Sequence, residues 1–270
     1  MVSSNQVPVM TQSDSVLRLG PNAYSKPATA LNILRETIMG RELFDFAFKE
    51  YSRRWEFKRP TPSDFFRTME EASGIDLDWF WRGWFYTTDH VDISLERVYQ
   101  MEMNTENPDI DFAREREDDK AFSPSLFSER NRDAGMRTWV ERNTDVRDFY
   151  DENDEFTVTN KERNAYNSFL EGLEDWEREV LDKAVSEERN YYLVEFANKG
   201  GLVMPIILDV EYADGAAEQI RYPAEIWRKS PKMVKKLLVT EREIVSLTID
   251  SGMETADADI ENNFYPRRLV

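Results

Sequence analysis

Apolar residues recur at helical spacing over the first third of the chain and at strand spacing over the last third. After an entry segment broken by Pro8, Gly20 and Pro21, a helix is predicted from Lys26, with Ser25 as cap and Pro27 in its first turn. Leu31, Leu34 and Ile38 give its apolar side, and Gly40 its stop. A second helix is predicted over about Arg41 to Trp55, where Phe44, Phe48, Tyr51 and Trp55 fall on one stripe. Thr61-Pro62-Ser63-Asp64 reads as a third start, with an acid in the first turn, and this helix ends near Gly74. A short aromatic helix is predicted from Leu77 to Tyr86.

The period then shortens. Val91, Ile93 and Leu95 alternate with polar residues, which suits a strand. Strand patterns return at Tyr192 to Phe196, Leu202 to Tyr212, Gln219 to Tyr222, Met233 to Val239 and Ile244 to Ile249, with Asp214-Gly215 as a hairpin turn. Short strands at this spacing predict a β-sandwich of the immunoglobulin-like kind. The fold class expected is α+β. Residues 1–88 form a helical unit, 89–104 and 190–270 a sandwich, and 105–189 an acidic, partly helical insertion. Glu162 to Glu187 holds good helix formers, with Phe169, Leu173, Trp176 and Leu181 near helical spacing.

Charge sharpens this picture. The 270 residues carry 35 Lys+Arg against 53 Asp+Glu, a formal net charge of −18. Residues 105–189 alone hold 25 acids and 13 bases, so they account for −12 of it. Such a surface disfavours nucleic acid as a partner, because phosphate contact needs basic side chains. No apolar run is long enough for a membrane span. Met1 to Gln12 has neither a basic start nor a long apolar run, so a soluble chain without a signal peptide is expected, its compartment left open. There is no cysteine, and His90 is the single histidine, so a histidine-paired zinc site cannot be completed within this chain.

Three stretches carry a resemblance. The first is Tyr24-Ser25-Lys26-Pro27-Ala28 with Leu31, Leu34 and Met39-Gly40. The second is Phe44 to Tyr51, then Trp55 through Phe65. The third is Met69-Glu70, Ser73-Gly74-Ile75-Asp76-Leu77, Trp79-Phe80 and Trp84. In this order and spacing they resemble the M1 family of zinc metallopeptidases, gluzincins of the aminopeptidase N type. The segments Asn198 to Pro205, Pro223 to Arg228 and Glu254 to Asp257 are similar to a bacterial subgroup of that kind.

The resemblance implies that residues 1–88 are the second half of a gluzincin catalytic domain. It also implies that Tyr24 is catalytic, its phenol donating a hydrogen bond to the oxyanion of the tetrahedral intermediate. Read alone, Tyr24 is an aromatic before a helix start. Pro27 stands where many relatives have glycine. The family's His-Glu-x-x-His and Gly-x-Met-Glu-Asn motifs are absent from this sequence. The chain is therefore expected to be a carboxy-terminal part of a longer peptidase. It would be inactive alone and hold no cofactor, with zinc and the peptide substrate engaged through the missing amino-terminal half. The alternative is a non-catalytic acidic module that binds a protein partner or a cation.

The other candidates read as structural. Lys26 is expected to be a solvated lysine at a helix start, and His90 a residue of the helix–sheet junction. The aromatic run Trp79 to Phe85 is expected in the core rather than lining a substrate cleft. Asp151, Asn153, Glu155 and Glu162 have calcium-loop spacing, but Phe156 occupies the glycine position, so a solvated loop is expected. Asp257, Asp259 and Glu261 alternate, which on a strand would put them on one face; that face could hold a cation, but mutual repulsion relieved by solvent is expected. Trp227 is expected in the core.

Overall fold

A computed structural model of the protein describes residues 5–122, 126–143, 145, 146, 149, 153–187 and 189–267. It divides into two compact units. One is Met1–Met101 with Asn190–Val270, and the other is Glu102–Arg189.

In the first unit a continuous helical run begins with a π turn at Gly20–Ser25 and continues as α1 (Lys26–Ile33). It closes with a second π turn at Leu34–Ile38. The helix thus starts well before the expected Ser25 cap, and Ser25 makes no capping bond. Pro27 is tolerated because the preceding turn is wide: Lys26 N–H pairs with the Pro21 carbonyl, and Pro27 has no N–H to place. Gly40, at φ +80, ends the run as expected.

Helices α2 (Arg41–Trp55), α3 (Pro62–Ser73) and α4 (Asp78–Tyr86) follow. The start of α3 is fixed by the Thr61 N–H and hydroxyl, which donate to Asp64 Oδ2 at 2.8 and 2.7 Å. Its end is fixed by Gly74 at φ +71. The aromatic stripe of α2 meets α3: Tyr51 packs edge-on against Phe65 at 4.9 Å, and Trp55 Nε1–H donates to Thr68 Oγ1. Phe80, Trp81, Trp84 and Phe85 are buried in the core, while Trp79, at the start of the run, is half-buried against it. Full burial of a side chain such as Phe80 contributes roughly 1.5–3 kcal/mol.

Two antiparallel sheets complete the unit. One orders β1 (Ile93–Met101), β2 (Asn190–Asn198) and β5 (Met233–Thr240) as β1-β2-β5. The other orders β4 (Ala217–Tyr222), β3 (Ile206–Tyr212), β6 (Ile244–Ile249) and β7 (Phe264–Tyr265) as β4-β3-β6-β7. The architecture is α+β. The hairpin expected at Asp214-Gly215 joins β3 to β4, with Gly215 at φ +82. The strand expected from Leu202 begins only at Ile206, because Trp227 Nε1–H takes the Met204 carbonyl at 2.8 Å and draws that backbone away from any ladder. Trp227 itself is core, as expected.

Helical and strand residues share one buried cluster, running from Ala30 and Leu34 through Phe80 and Trp84 to Val194, Leu208 and Leu247. Gly83 allows the close approach: a Cβ there would lie 2.8 Å from Leu202 Cδ2.

In the second unit helices span Pro108–Phe122, Leu126–Asp133, Trp139–Arg142, Asn160–Gly172 and Asp175–Ser186. The apolar stripe expected over 162–187 is not buried. Trp176 is 60% exposed, and the helix breaks at Leu173 and restarts on a Glu174–Glu177 capping box. Among the described residues no helix is long and apolar enough to cross a membrane.

Candidate functional site

Tyr24 lies in the π turn that opens the first helical run. Its ring is 69% exposed, and its hydroxyl has no hydrogen-bond partner among the described residues. The neighbouring Leu17 and Leu19 are exposed as well. The backbone beneath is held firmly. Asn22, buried, donates Nδ2 to the Val7 carbonyl at 2.5 Å and accepts from Val7 N–H at 3.4 Å, tying the entry segment to the helix. Met10 N–H donates to the Phe85 carbonyl at 3.0 Å.

Two residues beyond Tyr24, Lys26 overturns the expectation of a solvated lysine. It is 2% exposed, and its ammonium donates to the carbonyls of Thr87 at 2.9 Å and Asp89 at 3.2 Å. Burial pulls its pKa below the usual value, opposed in part by the negative charge of Asp89. The Thr87 carbonyl belongs to the C-cap of α4, where helix-terminal oxygens lack partners and favour a cation, and the Asp89 carbonyl lies in the segment that follows. Lys26 therefore pins the Tyr24 turn to the end of α4. Its burial, though not its partners, was readable from spacing: Lys26, Ala30, Ile33 and Leu34 share the buried helix face.

His90 sits at the helix–sheet junction, as expected. Its N–H donates to the Gly200 carbonyl at 3.1 Å, its carbonyl accepts from Leu202 N–H at 3.1 Å, and it forms a parallel bridge with Gly201.

Glu70, Asp76 and Asp78 bring carboxylate oxygens within 4.8 Å of one another. Glu70 already accepts the Leu77 N–H at 2.9 Å, so it caps the start of α4. Burial raises its pKa, the Leu77 bond opposes that, and the Asp78 and Asp76 charges add to it. Asp76 and Asp78 are exposed. Among the described residues this all-carboxylate trio is the one group of three or more side chains placed to share a metal ion, and no histidine joins it.

Of the calcium-spaced acids, Asp151 lies outside the described residues, and Glu162 is engaged at the start of the Asn160–Gly172 helix, accepting from Thr159 N–H at 2.9 Å. Asp257, Asp259 and Glu261 are not on a strand. Asp259 caps a short 3-10 turn at Ile260–Asn262 by accepting from Glu261 N–H, which folds the alternating acids onto different bonds.

No family model matches the chain, and no curated protein matches it. Among solved structures it is similar to Legionella pneumophila aminopeptidase A in complex with aspartic acid, at a TM-score of 0.37 and 14% identity. That likeness covers 89% of this chain and 17% of the other. It is too slight to bear on fold or activity.

Proposed function

We propose that this chain is the tyrosine-bearing carboxy-terminal part of an M1-like metallopeptidase. The single observation that supports this most is the pairing of an exposed Tyr24 phenol with a rigid mount, Lys26 buried two residues away and bound to the end of α4. An unpartnered phenol on a fixed helix is a neutral donor that loses little freedom when an oxyanion forms beside it. In this reading Tyr24 donates its hydrogen bond to the oxygen that gains charge as the peptide carbonyl is attacked. The described residues offer no histidine-containing ligand group for zinc, so the metal and its ligands belong in this reading to residues outside these 270. The helical part (1–88) forms one wall of the cleft.

The two sheets are read as an immunoglobulin-like sandwich (89–104 and 190–270) bracing that wall. Seven strands ordered β1-β2-β5 and β4-β3-β6-β7 support that assignment. Residues 105–189 are read as an insertion into it.

The test is the longer reading frame that encodes this chain, expressed with and without Tyr24→Phe and assayed on peptide substrates. The variant should lose about 10²–10³-fold in kcat with KM little changed, the usual cost of one oxyanion donor. Full activity in the variant would overturn the role of Tyr24. Absence of both zinc and hydrolysis in the longer protein would overturn the peptidase reading.

A further inference from the structure

The three-stranded sheet is apolar on both faces. Tyr192, Val194 and Leu238 point inward and belong to the buried core. On the outer face the ladder aligns side chains in rows across all three strands. Tyr99, Leu193 and Leu237 form one row, and Met101, Tyr191 and Val239 the next. Leu193 and Tyr191, on the central strand, are half-buried, and the four on the flanking strands are between 41% and 54% exposed. An antiparallel sheet with one solvated face ordinarily alternates apolar and polar residues along each strand. β5 departs from that alternation, with Leu237, Leu238 and Val239 in succession. Two adjoining rows make a continuous patch rather than scattered apolar residues, and such patches mark interaction surfaces.

The two ends of the patch differ in charge. At one end Arg97, Glu195 and Lys235 form the following row, two bases and one acid. Lys235 pairs with Glu195, and Arg97 Nη1 donates to the Tyr99 hydroxyl at 3.1 Å. At the other end the chain leaves β1 after Met101 and returns to β2 at Asn190. Those are the covalent connections to residues 105–189, whose 25 acids and 13 bases give a net −12.

We propose that this face is the interface of a homodimer, in which two copies stack their three-stranded sheets about a two-fold axis with strands antiparallel across the contact. Charge selects a second copy as the occupant. In that arrangement the two apolar rows of one copy lie over the two apolar rows of the other. The Arg97–Lys235 row of each copy then faces the end at which the other's acidic segment departs, so a single patch is complementary to itself. A partner of uniform charge would meet only one of the two ends favourably. A stack with parallel strands would set basic row against basic row. Area agrees. The six apolar side chains expose roughly 400 Å² per copy, and the alkyl stems of Arg97 and Lys235 extend it. Two copies together bury about 1,000 Å², the lower bound of a specific interface. Aligned stacking of two flat faces is the packing sheets ordinarily adopt. The inference stands on the sheet alone and does not depend on the peptidase reading.

The test is analytical ultracentrifugation of the 270-residue chain from about 1 to 300 μM at physiological salt. A monomer–dimer equilibrium with a Kd of about 1–100 μM is expected for a contact of this size. Leu237→Glu sets a charge within the patch and should weaken the dimer at least about tenfold, with the circular dichroism spectrum unchanged. Val239→Glu should do the same, and is the deciding variant if Leu237→Glu fails to fold. Val245→Glu makes the same kind of change at an exposed position of β6, in the other sheet, and should dimerise like wild type. Arg97→Glu should also weaken the dimer, less so at high salt, and an unchanged Kd there would overturn the antiparallel arrangement. A chain that stays monomeric up to about 300 μM would overturn the proposal, whatever else then covers the face. So would a dimer that Leu237→Glu and Val239→Glu leave intact, which would place the contact elsewhere.

Discussion

The Lys26 ammonium donates to the carbonyl of Thr87 at 2.9 Å, across 61 residues of sequence. This contact joins the turn bearing Tyr24 to the last residues of the helical layer, and it is made by a charge almost fully removed from water. Removing one partner of such a pair costs more than the pair is worth, because the half-buried carbonyls of Thr87 and Asp89 lose their donor.

Lys26→Met preserves much of the side-chain volume but supplies no donor. It should destabilise the chain by about 1–3 kcal/mol in urea unfolding. The pH dependence has a defined sign. The folded pKa of Lys26 lies below the usual 10.5, so between those two values the unfolded chain binds more protons. The Lys26 contribution to stability should therefore rise with pH through that alkaline window, and the rise should vanish in Lys26→Met. A flat difference between the two proteins over that range would contradict the burial of the charge.

Tyr24→Phe should leave the stability of the 270-residue chain within about 0.5 kcal/mol, because the hydroxyl is exposed and unpartnered. A larger loss in thermal unfolding would assign Tyr24 to packing rather than to a role at the surface.

Trp227→Phe removes the indole N–H from the Met204 carbonyl while keeping an aromatic ring in the core. The cost should be about 1–3 kcal/mol, rising to about 3–5 kcal/mol for Trp227→Ala. Denaturant midpoints of the two variants give the comparison directly.

Gly200→Ala should be far more damaging than its chemistry suggests. A Cβ at Gly200 would stand 2.3 Å from the His90 carbonyl oxygen, which is backbone and cannot step aside. We expect a loss of at least about 2 kcal/mol. Gly20→Ala, with nothing within 4 Å of the new atom, should be close to neutral. Similar melting temperatures for the two would count against the tight helix–sheet junction.

Much of the fold was legible because several elements carry both a start and a stop. Thr61-Pro62 and Gly74 bracket α3, Gly40 precedes α2, and the Ile244–Ile249 strand was read with its observed ends. Lys26 was misread because its charge was weighed ahead of its position, although it shares a helix face with Ala30, Ile33 and Leu34. The 257–263 loop was misread because alternation suggests a strand, whereas Asp257 and Asp259 spend their oxygens on nearby backbone N–H groups and curl the chain. Within 105–189 the helix formers predicted helices and these form, but apolar residues placed at helical spacing, such as Phe169 and Trp176, stay exposed. Of the candidate site, Tyr24 was named from motif resemblance. Its mount was not, since it depends on a carbonyl pair supplied by distant chain.

Met101 pairs with Tyr191 in the β1–β2 ladder, so residues 102–189 leave and re-enter the sheet at adjacent positions. To the sheet, the whole acidic unit is a hairpin loop. Exchanging a tight turn for a loop of that length costs only about 3 kcal/mol in closure entropy, since the penalty grows with the logarithm of length. The edge between β1 and β2 is thus a port at which cargo of almost any size can be installed or deleted. A four-residue linker in place of 102–189 should leave the remaining chain foldable and considerably less acidic.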